Sequence, residues 1–125
     1  MEINVSNVEA RVPVTIFQLD GMFNMGTSGS LQQKAVEQHQ AGMSYMLLDL
    51  SKVTSLSSAG LRAIQFIYKL FQEGDDSTNL RKSGKKSPYL KMLNPSQDIR
   101  RVISIAGFDT FIEIYTDRDE AINSF

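Results

Sequence analysis

Six residues near the middle of the chain set the strongest limit on how it can fold. Tyr45-Met46-Leu47-Leu48-Asp49-Leu50 is almost wholly apolar, with none of the alternation of a strand that wets one face. A strand of this kind is covered on both sides, as in a sheet sandwiched between helices. A short polar turn follows it, and then a helix start built of small residues, Ser57-Ser58-Ala59-Gly60.

The flanking sequence supplies the rest of the sandwich. Residues 2–5 read as a short edge strand. Val12-Pro13-Val14-Thr15-Ile16-Phe17-Gln18-Leu19 is β-branched and aromatic, and Asp20-Gly21 is expected to close it as a turn. Pro13 suits a strand beginning or an edge. Ser28 or Ser30 is the expected cap of a helix reaching about Gly42, with Leu31, Ala35 and Val36 at helical spacing. A second helix is expected over 58–73, with Leu61, Ile64, Ile67, Tyr68 and Phe71 inside and Arg62, Gln65, Lys69 and Gln72 outside. Tyr89-Leu90-Lys91-Met92-Leu93 is the next strand. Asn94-Pro95-Ser96 then opens a helix whose Ile99, Val102, Ile103 and Ala106 follow the i, i+3, i+4, i+7 rule, stopped by Gly107. Phe111-Ile112-Glu113-Ile114-Tyr115 is the last strand. Thr116-x-x-Asp119 resembles a capping box for a final helix packing Ala121, Ile122 and Phe125.

The order β-β-α-β-α-β-α-β-α implies an α/β fold. A mixed, mostly parallel sheet of four to five strands is expected, with about four helices and an antiparallel first pair. The 125 residues suffice for one domain, 1–125, and its hydrophobic share of 42% is ordinary for a globular chain. Residues 74–88 break the pattern. They hold Asp75, Asp76, Arg81, Lys82, Lys85, Lys86, glycines and serines without apolar periodicity, and read as a flexible surface loop.

Several classes of chemistry lack their residues. With no cysteine there is no disulfide framework, thiolate metal site or cysteine nucleophile. His39 is the only histidine, flanked by glutamines on a helix, and reads as a boundary residue. No glycine-rich phosphate loop, nucleophile elbow or paired-histidine motif exists, so neither enzymatic activity, a metal nor a cofactor is expected. A net charge of -1 argues against nucleic acid as a partner. No apolar run approaches a membrane span, and Met1-Glu2-Ile3-Asn4-Val5 is unlike a signal peptide, so a cytoplasmic location is expected. Asp49 and Asp20 sit near the expected strand ends, where they either line a crevice or satisfy local backbone donors. The basic group Arg81, Lys82, Lys85 and Lys86 either attracts an acidic partner or is a solvated loop.

The informative stretch is 49–61. Exposed amides and the helix dipole favour negative charge at its helix start by about 0.3–1 kcal/mol. A hydroxyl there is either a cap or a phosphate acceptor.

This stretch resembles the STAS family, the anti-sigma factor antagonist domains of bacteria with the SpoIIAA-like fold. The likeness rests on Asp49-Leu50-Ser51-Lys52-Val53 and Ser57-Ser58-Ala59-Gly60-Leu61 at the family spacing. It extends to Leu19-Asp20-Gly21, Leu93-Asn94-Pro95-Ser96, Arg101-Val102-Ile103, Ala106-Gly107-Phe108-Asp109 and Ile114-Tyr115. The resemblance implies a switch in signalling and transcription regulation. The unphosphorylated domain binds an anti-sigma factor that is also a serine kinase of the histidine-kinase-like ATPase type, and phosphorylation breaks the complex; a phosphatase is a further possible partner. By position Ser58 matches the phosphoacceptor, with Ser57 and Thr54 as alternatives. Asn24, Ser55, Ser57, Ser58, Ala59, Gly60 and Arg62 would form the docking surface. Two positions depart from the family pattern: Ser57 and Asn24 stand where regulated members usually carry an acid. Their neutrality removes repulsion from an attached phosphate and bears on how readily one is installed.

Two other functions remain open at this level. One is a binding subunit of a transport complex that uses the same helix face without phosphorylation, and the other a sensor of a nucleotide or lipid. Oligomeric state is open too, because Met22, Phe23 and Met25 fit a core, a groove or a dimer contact equally well.

Overall fold

The apolar run opens β3 (Met46–Leu56), the central strand of a five-stranded sheet. The protein is described here by a computed structural model covering residues 2–71 and 87–125. Around β3 lie β1 (Glu2–Glu9), β2 (Pro13–Phe23), β4 (Leu90–Leu93) and β5 (Glu113–Tyr115), arranged across the sheet in chain order. The helices are α1 (Met25–Gln40), α2 (Ser58–Phe71), α3 (Gln97–Ile105) and α4 (Arg118–Asn123), with a 3-10 turn at Phe108–Thr110. β1 and β2 are antiparallel and every other pair is parallel, as expected of strands joined through helices.

Period-two alternation sends successive residues of β3 to opposite layers. Met46, Leu48 and Leu50 join Phe17 and Leu19 of β2 in a large core with Leu31 and Ala35 of α1, Ile64, Ile67 and Tyr68 of α2, and Ile99 and Ile103 of α3. Leu47 points the other way, into a smaller cluster with Val14, Ile16, Leu93, Ala121 and Ile122. The strand is therefore apolar on both faces because α1, α2 and α3 cover one side and α4 the other.

Several expected boundaries shift. Asp20-Gly21 is not a turn. β2 runs through it, with Gly21 at φ 104 and register shifts between Gln18 and Asp20 and between Gly21 and Met22. The backbone conformation that suits a turn is absorbed here as a bulge within a parallel pair. β3 likewise continues through the polar segment expected as a turn, because β2 pairs with it as far as Phe23↔Leu56. α1 starts at Met25 rather than at Ser28 or Ser30, and Ser28 is buried inside it. The last helix is capped by Asp117, not Thr116: its carboxylate accepts from the amides of Asp119 and Glu120 at 2.8 and 3.2 Å. Ser96 caps α3 as the sequence suggests, accepting from the Ile99 amide at 3.3 Å.

Of the expected 74–88 loop, residues up to 86 lie outside the described segments. Ser87 is buried rather than exposed: its amide donates to the Phe111 carbonyl at 2.8 Å and its hydroxyl accepts from the amides of Tyr89 and Leu90. This seats the chain as it enters β4.

α4 is fastened to the sheet by a buried cation. Lys91 Nζ donates to the carbonyl and the hydroxyl of Ser124, both at 2.9 Å, lies 3.8 Å from Glu113, and sits over the Phe125 ring. Tyr115 in turn donates to Glu113. Burial pushes the Lys91 ammonium below the usual lysine range, against the pull of Glu113. The unfolded chain therefore binds more protons between that lowered value and the ordinary 10.5, so Lys91's contribution to stability rises with pH across that window. We expect Lys91→Met to cost about 1–3 kcal/mol at pH 7, because it leaves the Ser124 carbonyl and Glu113 without the cation that binds them. That cost should grow as the pH approaches 10.5, because the parent gains stability across the window and the variant does not. Denaturant melts of both proteins at neutral and alkaline pH measure the difference.

Candidate functional site

Two helix starts are brought side by side by the last rungs of the β2–β3 pair. Met22 lies opposite Ser55 and Phe23 opposite Leu56. One step further, the Ser57 amide donates to the Phe23 carbonyl at 3.0 Å. Asn24 leaves β2 into α1, Ser57 leaves β3 into α2, and both do so at the C-terminal edge of parallel strands. In open α/β sheets this edge is where ligands and partners collect.

Each helix start is capped by a neutral side chain. Asn24 Oδ1 accepts from the Gly26 amide at 3.0 Å, while the Thr27 hydroxyl accepts from the Asn24 amide at 3.0 Å, closing a reciprocal capping box. Ser57 Oγ accepts from the Gly60 amide at 3.3 Å, and its carbonyl takes the Leu61 amide at 3.0 Å. The first turns of α1 and α2 contain no acid. The two positions usually acidic in the resembled family are thus both held by neutral caps.

The adjacent serines divide two roles that the sequence left together. Ser57 is half-buried and caps α2; Ser58, the first helical residue, is exposed. Arg62 is exposed four residues on, and so shares Ser58's side of the helix. Thr54 and Ser55 are exposed on the strand end beneath. Ala59 is half-buried.

Gly60 does not reach the surface. A Cβ there would lie 2.7 Å from Leu56 Cδ1 and 2.9 Å from the Phe23 carbonyl oxygen. Its place among the site residues is structural: it lets α2 approach the strand ends closely.

The edge also separates two of the apolar residues whose place the sequence left open between core, groove and dimer contact. Met22 is 57% exposed, whereas its neighbour Phe23 is fully buried. The bulge at Gly21 sets which of the two faces water. Among the described side chains the edge around Ser58 is therefore an uncharged hydroxyl and amide surface beside the exposed Met22 thioether, with Arg62 at its margin.

The other candidates lie elsewhere. Asp49 is mid-strand, not at a strand end, and 8% exposed; its carboxylate accepts from the Ser51 amide at 3.0 Å and the Ser51 hydroxyl at 2.7 Å. That is the local backbone role. Asp20 is also interior to its strand, because β2 extends to Phe23. His39 sits in the last turn of α1, at the far end of the molecule, with Nδ1 3.2 Å from the Met43 carbonyl and its ring edge-on to Phe71. Arg81, Lys82, Lys85 and Lys86 fall outside the described residues. Among the described residues no group of three or more acidic or histidine side chains is placed to hold a metal ion, and no helix is long and apolar enough to cross a membrane.

The STAS domain family model matches residues 6–75. A candidate anti-sigma factor antagonist from Thermotoga maritima superposes with a TM-score of 0.76 at 21% identity, covering 96% of this chain and 91% of that one. The anti-sigma factor antagonist SpoIIAA in its unphosphorylated form gives 0.73 at 15% identity, covering 98% of this chain and 94% of that one. The phosphorylated form of SpoIIAA, a cell fate determinant of Bacillus, gives 0.67 at 15% identity, covering 98% and 97%. At such identities the likeness is one of fold. No curated protein matches in sequence.

The division between the two serines has a direct test in stability. Ser57→Ala removes the α2 cap and should cost about 1 kcal/mol, whereas Ser58→Ala should stay within about 0.5 kcal/mol of the parent. Gly60→Ala should cost about 1–3 kcal/mol, because the Phe23 carbonyl it meets cannot swing aside. Chemical denaturation of the three variants reads all three values.

Proposed function

The chain belongs to the STAS domain family, and on that premise we propose that it is a partner-binding switch of the anti-sigma factor antagonist kind. It docks an anti-sigma factor that is also a serine kinase, of the histidine-kinase-like ATPase type, through the edge formed by Asn24, Ser55, Ser57, Ser58, Ala59 and Arg62, with Gly60 beneath it. Ser58 is the acceptor of the regulatory phosphate. The chain serves as substrate and ligand in this scheme, with no chemistry of its own.

The observation that carries this reading is the exposed position of Ser58 at the start of α2, next to a serine already committed as the cap. A kinase transferring the γ-phosphoryl group of ATP would find one hydroxyl facing it and the other engaged with the Gly60 amide. The reading is also supported by the shared fold of SpoIIAA, known in unphosphorylated and phosphorylated forms.

The physical consequences of phosphate at Ser58 differ for the fold and for the complex. It adds about 1.5–2 negative charges and three acceptor oxygens. At the first residue of a helix these are favoured by the dipole, by about 0.3–1 kcal/mol, and no acid in the first turn of α1 or α2 repels them. The folded chain therefore tolerates the modification. A partner seated on the uncharged edge has to desolvate the new charge or move away. A loss of about 2.8 kcal/mol is a hundredfold change in affinity.

Incubation of the purified chain with a serine kinase of this type and ATP should place one phosphate on Ser58, mapped by peptide mass spectrometry. Ser57→Ala should still be phosphorylated and Ser58→Ala should not. Ser58→Asp should bind the unphosphorylated chain's partner about a hundredfold more weakly. Phosphate confined to Ser57 or Thr54, or undiminished binding by Ser58→Asp, would sink the assignment.

A further inference from the structure

The two edges of the sheet are closed unequally. β5 ends it on one side with 3 residues, Glu113–Tyr115. β1 ends it on the other with 8, Glu2–Glu9, paired residue for residue with β2 and without a register shift. Among the described residues no strand pairs with its outer side. An edge strand presents a row of unpaired backbone donors and acceptors, which single chains blunt by short length, lysine, proline or a bulge. β5 is short. β1 is long and carries neither lysine, proline nor bulge.

The side chains of β1 suit a second copy of the same strand. Residues directly opposite each other in an antiparallel pair share a face of the sheet. Ile3 is opposite Leu19 and Val5 opposite Phe17, so both stand on the face covered by α1, α2 and α3. Ile3 packs on the main core there, while Val5 is left 37% exposed. Val8, opposite Val14, packs on the cluster beneath α4.

A two-fold axis perpendicular to the sheet at Val5 joins two such strands with their faces matched. It pairs residues 2–8 of one copy with residues 8–2 of the other. Val5 then covers the other copy's Val5, Ile3 stands beside Asn7, and Asn4 meets Ser6, two side chains able to hydrogen-bond. The only charges on the strand are Glu2 and Glu9, and in this register neither acid faces an acid. Glu2 is opposite Val8, and Glu9 lies beyond the paired stretch on the other face. A net charge of -1 adds little repulsion between whole copies.

We propose that two copies of this chain join by antiparallel pairing of their β1 strands about Val5, making one continuous sheet. A contact confined to one strand edge is at the small end of specific interfaces, so the dimer forms at micromolar concentration and above. The two-fold axis sends the two Ser58 edges to opposite ends of the dimer and leaves both uncovered. The dimer is independent of the Ser58 reading, since β1 shares no residue with that edge.

Sedimentation of the purified chain from micromolar to millimolar concentration should show a monomer–dimer equilibrium. Val5→Lys sets two like charges opposite each other at a position already open to water. It should weaken the dimer at least about tenfold, with an unchanged circular dichroism spectrum. Because the chain has no cysteine, one introduced thiol reads the register. Opposite residues of an antiparallel pair are about 4.5 or 5.5 Å apart at Cα, within reach of a disulfide. Under mild oxidation Val5→Cys should form a covalent dimer at least about tenfold faster than Asn4→Cys or Ser6→Cys, each set two residues away from its own copy. A chain that stays monomeric across the concentration series overturns the proposal. So does a dimer undiminished by Val5→Lys, or cross-linking no faster at Val5 than at its neighbours.

Discussion

The pairing of β2 with β3 carried to its last rung, Phe23↔Leu56, is the interaction on which the rest depends. Had β3 ended with its apolar core at Leu50, the two helix starts would hang from separate flexible turns. Because the ladder continues, the Ser57 amide reaches the Phe23 carbonyl, and the two caps, Asn24 and Ser57, stand at neighbouring strand ends. Gly60 then lets α2 settle against that carbonyl with no side chain between them. One continuous hydrogen-bonded ribbon thus fixes the height of both helices and the exposure of Ser58.

Burial of the central strand is what anchors the ribbon. Met46, Leu48 and Leu50 on one face and Leu47 on the other are inaccessible to water, so a slip of one residue would put the apolar set of one face into the space of the other. The second half of β3 adds only Val53 and the half-buried Leu56 to the core and otherwise inherits that register. Opposite layers are closed differently: apolar helices on one side, and on the other a short helix fastened through Lys91 to Ser124.

Elements with a strong local period were legible in the sequence: the two-sided run at 45–50, the apolar stripe of α2, and α3 with its Ser96 cap and Gly107 stop. The order of strands and helices followed from them. What escaped was set by contacts far along the chain. Asp20-Gly21 carries a turn signal, yet its neighbours pair on through it, and the positive φ of Gly21 makes a bulge instead. Residues 51–56 are mostly polar, with only Val53 and Leu56 apolar, and are held as strand by pairing with β2. α1 begins at Asn24's cap through a stretch with Gly26 and Gly29, residues of poor helix propensity, so its first turn was invisible to periodicity. At the candidate site, the motif located the edge but not the roles. Whether Ser57 or Ser58 caps depends on where α2 starts to within one residue, and no pattern resolves that. The exposure of Met22 hung on the same kind of single-residue shift.

The neutral caps carry a kinetic consequence. With Asn24 and Ser57 in place of acids, and Met22, Thr54, Ser55 and Ser58 uncharged, the described residues of this edge project little field into the solvent beyond that of Arg62. A molecule approaching it is not steered, so the encounter should proceed near the unsteered rate of about 10⁵–10⁶ M⁻¹s⁻¹ and vary little with ionic strength. Affinity at such a surface has to come from fit and desolvation, and therefore resides in slow dissociation.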